Sequence, residues 1–318
     1  MNWIQKNKNK NSLRRFPPAG RYLVGISGGR DSVALLHWLR ARGYKKLVAC
    51  HLNHQLRGSA SNRDAQFVKK FCAQLDVDLE TGSVNVRALA MQRKISIEAA
   101  GREARYKFFA TVAKQKRAQA IFLGHHADDL VETLFINLVR GSGTTGLGAM
   151  REISTRRVDD VDLTIVRPFL SVWRSEIDEY IREHRLRFRE DESNKDLAAL
   201  RNRVRRRIIP YLEKTLGRNI RENIRRAAMI AAEEETWIED QLPNASSADL
   251  SVATLRELPI ALQRREILKW LRGRKIANVG FDVVEDVRSL LDHQSGVAKV
   301  NLSQDRHVRR RAGKIFIE

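Results

Sequence analysis

The sequence has 318 residues, enough for about two domains with real cores. Its 59 lysines and arginines against 38 acidic residues leave a formal charge of +21, which favours a polyanionic partner, nucleic acid first. No apolar run approaches the roughly 20 residues that cross a bilayer and no apolar leader is recognisable, so a cytoplasmic protein is expected.

In chain order, residues 1–20 read as a basic, mobile tail. Apolar and β-branched residues from Tyr22 to Ile26 predict a buried strand, and Val33, Leu35, Leu36 and Leu39 behind it recur at helical spacing. Between them, Ser27-Gly28-Gly29-Arg30-Asp31-Ser32 is a strand-to-helix junction. Backbone N–H groups and the helix start make such a junction an anion site. A tight Gly-Gly turn with an Asp cap would account for part of the hexapeptide, and the whole of it points to a phosphate. It is not a Walker loop, since the Gly-Lys-Ser/Thr ending is missing.

A second strand, Leu47 to Leu52, leads into 51-HLNHQLRGSASNRD-64. There His51, Asn53, His54 and Arg57 can meet a nucleotide or substrate, or the two histidines can be loop residues satisfied by backbone. Cys50 and Cys72 lie singly in apolar-periodic segments, as buried thiols rather than a disulfide, zinc or iron–sulfur framework. Helical patterns are expected at 32–42, 61–75, 97–117 and 128–140. Within the third, Glu98 and Arg102 can form an ordinary helix pair, while Arg102 and Arg105, three apart, can present two guanidinium groups to a phosphate.

After a third strand at Ala120 to Gly124 comes 124-GHHADDLVETLFINLVRGSGTTGLGAM-150. Asp128, Asp129 and Glu132 can share one helix face. A capping box with Asp129 as N-cap and Glu132 three residues on explains two of them. The extra Asp128 and the His125-His126 pair favour magnesium or a cationic substrate. The alternation as a whole predicts an α/β fold, a doubly wound parallel sheet whose ligands sit beyond the carboxyl ends of the strands.

Beyond Pro168, a helical stretch runs from Val172 to His184, followed by 191-DESN-194 and 201-RNRVRRRIIPYL-212. Five arginines in the seven positions from Arg201 to Arg207 would repel one another without an anion, so they are expected to contact an RNA backbone. Residues 216–248 read as a helical linker ending in PNASSA. Residues 249–318 read as a small α+β domain with a basic cluster, His307 to Arg311, between strand-like stretches.

The ordered set SGGRDS, HLNHQLRGSASNRD, EAAGREARY, GHHADDLVETLFINLVRGSGTTGL, RPFL, DESN and RNRVRRRIIPYL resembles the tRNA(Ile)-lysidine synthase family of the ATP-pyrophosphatase, or PP-loop, superfamily. The resemblance covers residues 21 to about 215, and more loosely the rest. It implies an adenine-nucleotide α-hydrolase-like fold, a catalytic domain over 21–215, and a tRNA-binding domain over 249–318. The activity implied uses ATP, released as AMP and pyrophosphate, to join free L-lysine to C2 of the wobble cytidine in a CAU anticodon of tRNA(Ile). Codon reading would switch from AUG to AUA.

On this resemblance Ser27, Gly28, Gly29, Arg30, Asp31 and Ser32, with His51, Asn53 and His54, hold ATP, and Asp31 and Asp128 place Mg2+. Asp129 and Glu132 receive the lysine amine, and Arg102 and Arg105 steady the α-phosphate or the cytidine. Arg57, Arg201, Arg203, Arg205, Arg207, Arg309, Arg310 and Arg311 grip the tRNA, and a homodimer is left open. Two departures stand out: Leu130 replaces a commonly polar residue, and Ala149 lies near a usual glycine. Longer members add a further carboxyl-terminal domain, so acceptor-stem recognition is expected to be arranged differently. A sulfur-transferring relative would call for a catalytic cysteine pair or a cluster, and a small-molecule amidating ligase leaves the arginine run unexplained. A binding-only protein would be expected to have lost the loop or the acidic cluster.

Overall fold

The computed structural model describes residues 11–318 except 57, 149, 191–199, 243–248, 277, 293–298 and 304. Arg57, Ala149 and the DESN motif therefore lie outside the described residues. The chain divides into two compact units, Met1–Ser142 with Gly146–Ile230, and Gly143–Thr145 with Ala231–Glu318.

The first unit is built on a six-stranded sheet in the order β3-β2-β1-β4-β6-β5. Its elements run β1 (Tyr22–Gly25), α1 (Arg30–Ala41), β2 (Leu47–Asn53), α2 (Ser59–Gln74), β3 (Asp78–Ser83), α3 (Val86–Arg93), α4 (Ile97–Lys116), β4 (Ala120–Phe122), α5 (Ala127–Val139), β5 (Ile153–Val158), β6 (Val161–Val166) and α6 (Arg174–Glu183). α7 (Leu200–Arg203), a π-helical turn (Val204–Ile208), α8 (Ile209–Leu216) and α9 (Arg221–Asp240) follow.

β1 pairs in parallel with β2 on one side and β4 on the other, Val24 standing opposite both Ala49 and Phe122. Its side chains alternate between two cores. Tyr22, Val24 and Ile26 pack with Trp38, Leu39, Phe169 and Tyr180, whereas Leu23 packs with Tyr106, Phe109 and Val112 of α4. Both faces are covered, so every residue of the strand must be apolar. The chain leaves β1 for β2 and β3 and returns through α4 to β4, on the opposite side of β1. This reversal is the topological switch point, where a crevice opens at the strands' carboxyl ends.

The expected parallel sheet needs one amendment, because β5 and β6 form an antiparallel hairpin at one edge. The tail is also shorter than expected. Phe16 is 7% exposed and meets the Tyr22 and Phe122 rings edge-on, and Tyr44 donates to its carbonyl at 2.8 Å.

The division between units falls inside α9, the helix expected as a linker. The second unit carries β7 (Leu250–Ser251), α10 (Val252–Glu257), α11 (Ile260–Gly273), α12 (Phe281–Ser289), β8 (Lys299–Asn301), β9 (His307–Arg311) and β10 (Lys314–Ile317). Its sheet has the order β7-β10-β9-β8, and Trp270, Leu271, Val287, Val308 and Ile315 are in its core. Among the described residues no helix is long and apolar enough to cross a membrane.

Candidate active site

The loop after β1 is shaped by its glycines and hydroxyls. Gly28 sits at φ +86°, a left-handed backbone that side chains resist, and a Cβ there would also press on Val68 at 3.3 Å. Ser32 Oγ accepts from Ser27 N at 3.2 Å and donates to Gly29 O at 2.9 Å, while Ser27 Oγ accepts from Gly29 N at 3.2 Å. Gly29 provides no side-chain cap to α1, so the first-turn N–H groups stay open to an anion. Arg30 turns away from this site. Its guanidinium pairs with Asp178 at 2.8 Å and lies 5.0 Å from the Phe188 ring centre, so its side chain anchors the loop rather than meeting the nucleotide as expected.

The end of β4 lies against this loop. A Cβ on Gly124 would fall 2.9 Å from the Asp31 carbonyl oxygen, a contact that only glycine permits. The close approach brings His125 and His126 beside Asp31. α5 then starts at Ala127 with His126 as N-cap, and His126 N donates to Asp129 Oδ2 at 3.1 Å. The expected box is therefore shifted: Asp129 is the third helical residue, not the cap, and Glu132 lies in the second turn, 1% exposed.

His126, also 1% exposed, is ringed by carboxylates. Its Nε2 is 3.8 Å from Asp31 and 3.6 Å from Asp129, and its Nδ1 is 3.6 Å from Asp128. Burial pulls its pKa down, but Asp129, Asp128 and Asp31 outweigh burial and the net shift is upward. Asp31 is raised, by burial first and then by Asp129, against the pull of His126, Arg174 and Arg30. Burial also acts to raise Asp129, yet His126, Arg201 and His125 leave it lowered.

Asp128 is held at about 2 despite burial by His126, by the Arg174 backbone N–H at 3.0 Å and by Arg221 at 3.2 Å. With its oxygens so engaged, Asp128 is a poor metal ligand, and the expected magnesium pair narrows to Asp31. Asp31 Oδ1 is buried without a hydrogen-bond partner, beside the open helix start. One such carboxylate fits magnesium, which usually keeps water and substrate phosphates as its other ligands.

Two of the expected RNA-binding arginines turn inward instead. Arg201 Nε donates to Glu132 Oε2 at 2.9 Å, and its Nη2 to the Asp129 carbonyl at 3.2 Å and to Thr133 Oγ1 at 3.0 Å. Arg205 pairs with both Glu132 oxygens and lies 3.5 Å from Asp129 Oδ1. A carboxylate sealed in the protein needs such partners, and no other described cation pairs with Glu132. Arg203, Arg206 and Arg207 remain exposed, next to Tyr211 at 67% exposure.

A second polar group lines the cleft from β2 and α4. His51, 5% exposed, bonds the Ile26 carbonyl oxygen through Nδ1 at 3.0 Å and leaves Nε2 unpartnered. Burial takes His54 down to about 4, with Arg105 and His51 adding to it. Burial likewise takes His125 down to about 3; Asp129 opposes it, and Arg167, Arg201 and Arg105 reinforce it. Arg105 is reached by solvent yet closely surrounded by protein, and that desolvation lowers its pKa. Arg102 and Arg105 form no ion pair among the described residues, so the cleft holds cations lacking an anion. Asn53 instead shapes a turn, accepting from Gln55 N at 2.9 Å.

Sequence reasoning overlooked Arg167, Arg174 and Arg221. Arg167 is 6% exposed, donates through Nη1 to the Arg151 carbonyl at 2.8 Å, and has an unpartnered Nε. Its only advance signal was its place in RPFL. In the second unit, strand alternation splits the basic hairpin. Arg310 is tied to the Leu290 and Asp292 carbonyls at 2.8 and 2.7 Å, so its expected tRNA contact gives way to a structural bond, whereas Arg309 pairs with Glu318 at 2.9 Å and Arg311 is exposed. Cys50 and Cys72 are free and buried, and burial raises both thiols, Cys72 to about 11.

Comparison with known proteins agrees with this architecture. The PP-loop domain model matches residues 3–212, and the TilS substrate binding domain model matches residues 250–316. The U34-tRNA thiolase NcsA from Methanococcus maripaludis shares the fold, with a TM-score of 0.55 at 16% identity over 77% of this chain and 79% of that one. The fold and the loop thus define a PP-loop protein. A tRNA(Ile)-lysidine synthase from Geobacter sulfurreducens is 36% identical over 91% of this chain and 63% of its own length. Another, from Chlorobaculum tepidum, is 34% identical over 86% of this chain and 84% of its own. The chain belongs to the tRNA(Ile)-lysidine synthase family. It spans between about half and two thirds of several curated relatives, 53% of the Bacillus licheniformis protein among them.

Proposed function

We propose that the protein ligates free L-lysine to C2 of the wobble cytidine of a CAU-bearing tRNA(Ile), forming lysidine and changing codon reading from AUG to AUA. The observation that carries this reading is the contact of Gly124 with Asp31, which joins a pyrophosphate-type loop to an acidic cluster in one crevice. In the first step the cytidine O2 attacks the α-phosphorus of ATP, an O–P bond forms, and pyrophosphate leaves toward the open N–H groups of α1. Asp31 would hold magnesium, which would supply charge neutralisation for that leaving group. Arg102 and Arg105, which form no ion pair among the described residues, would steady the charge that develops on the α-phosphate.

In the second step the lysine side-chain amine attacks C2 and AMP departs with the O2 oxygen. Lysine's side-chain pKa of about 10.4 makes deprotonation at pH 7 cost roughly 4 to 5 kcal/mol unaided. Asp129, with Glu132 beside it, would bind the ammonium and accept its proton. The imidazoles of His54 and His125, kept neutral by desolvation, and that of His51 would line the cytidine side.

The test is mass analysis of tRNA(Ile) incubated with protein, ATP, magnesium and isotopically labelled lysine. One labelled lysine on the wobble cytidine, with AMP and pyrophosphate in equal amount, is the expected result. Stoichiometric ADP, or a tRNA whose mass is unchanged, would end the reading.

A further inference from the structure

The carboxylates proposed to receive the amine are already occupied. Glu132 is 1% exposed and has both oxygens bound to guanidinium groups, Oε2 by Arg201 at 2.9 Å and by Arg205 at 3.0 Å, and Oε1 by Arg205. Asp129 Oδ1 has the same two groups at 3.7 and 3.5 Å. A carboxylate offers about four lone-pair sites, and three of those on Glu132 are taken. The local charge is two carboxylates against two guanidiniums. An arriving ammonium would find these two carboxylates already neutralised and a single lone-pair site of Glu132 left.

The guanidiniums, unlike Glu132, are open on their outer side, with side chains 38% and 24% exposed. They stand in a run of five arginines in seven residues, Arg201 in α7 and Arg205 in the π-helical turn that continues it. Such turns are rare and gather at functional sites. A planar guanidinium suits a phosphate as well as a carboxylate. A phosphate arriving from solvent could therefore take Arg201 and Arg205, leaving Glu132 and Asp129 without counter-charge, and an ammonium would restore it.

We propose that Arg201 and Arg205 make lysine binding conditional on a phosphate ligand: the two arginines mask Glu132 and Asp129 in the free protein and transfer to a phosphate, which unmasks the amine site. This rests on the amine-site reading above. The phosphate is that of the nucleotide or that of the RNA backbone, and by linkage each ligand strengthens the other's binding by the same factor.

Equilibrium dialysis of labelled L-lysine tests it on the whole protein in four states: alone, with α,β-methylene ATP, with an anticodon stem-loop whose wobble cytidine is replaced by uridine, and with both. Lysine affinity is expected to rise about 10- to 100-fold in one or both ligand states. The state in which it rises identifies the source of the phosphate. In Arg201→Gln/Arg205→Gln, lysine should bind without a phosphate, and added phosphate ligand should no longer alter its affinity. Equal lysine affinity in all four wild-type states, with lysidine still formed from complete substrates, would overturn the masking. Failure to form lysidine from complete substrates would instead overturn the functional reading. If the double variant does not fold, the four wild-type states decide alone.

Discussion

At the scale of single residues, Glu132 and Asp129 differ in what they can lose. Glu132→Gln removes the charge that two guanidiniums surround, and uncompensated charge inside a protein is costly. Because both arginines are partly exposed, a loss of roughly 2 to 4 kcal/mol is expected, read by chemical denaturation. Asp129→Asn keeps its shape and its cap bond, so it should slow lysine transfer more than adenylation. Adenylated tRNA should accumulate, visible by mass. Equal loss of both steps at saturating magnesium would move Asp129 to a metal-binding role.

His54 yields a pH prediction with a definite sign. Its folded pKa of about 4 lies below the unfolded value of about 6.5. Above pH 6.5 neither state binds the proton, and between 6.5 and 4 only the unfolded chain does. Stability should therefore fall on acidification through that window, by up to about 1.4 kcal/mol per pH unit for each such histidine. Thermal melts at pH 7 and pH 5 should show a smaller difference in Tm for His54→Asn than for the wild type. An unchanged difference would mean that His54 is not held neutral.

At the scale of elements, α7 and the π-helical turn that continues it carry the arginines that face the site. Pro210 has no N–H to donate into the preceding turn, and the wider π turn carries the chain across it while Val204 and Ile209 stay buried against Val131. Arg201 of α7 and Arg205 of the π turn, four residues apart, point inward, and Arg203 and Arg207 outward. Neutralising Arg203 and Arg207 together should lower the slope of log affinity for tRNA against log salt by about 0.7 to 0.9 per residue, with ATP affinity unchanged. An unaltered slope would reduce the outward face to a solvated charge run. The run reads as uniform in the sequence because charge density is visible there and facing is not. β3 and β5 were missed for a related reason. As edge strands they bury little, and DLETGS and ISTRRV lack the apolar run that marked β1, β2 and β4.

At the scale of the whole molecule, the excess charge lies in the first unit, because residues 231–318 balance 14 basic against 14 acidic side chains and the basic hairpin is a local cluster in a neutral unit. Arg309 and Arg311 project from one face of β9, and Arg310 is spent on holding the end of α12. If the second unit grips the body of the tRNA, Arg309→Ser/Arg311→Ser should raise the KM for whole tRNA far more than for an isolated anticodon stem-loop. Equal effects on both substrates would remove the gripping role. Arg310→Ser should instead lower Tm and leave that ratio alone.

The sequence by itself determined the strand–loop–helix junction at Ser27 to Ser32, the helix that carries Asp128, Asp129 and Glu132, and the family. These depend on short-range spacing and backbone rules that act within a few residues. Only the tertiary structure decided that Gly124 brings the acidic helix against Asp31, that His126 rather than Asp129 caps α5, and that Glu132 holds Arg201 and Arg205. The first and the last depend on the distance between groups far apart in the chain, and the second on where the end of β4 lets α5 begin. A charge becomes a ligand, a counter-ion or a solvated side chain according to what the fold places within a few ångströms of it.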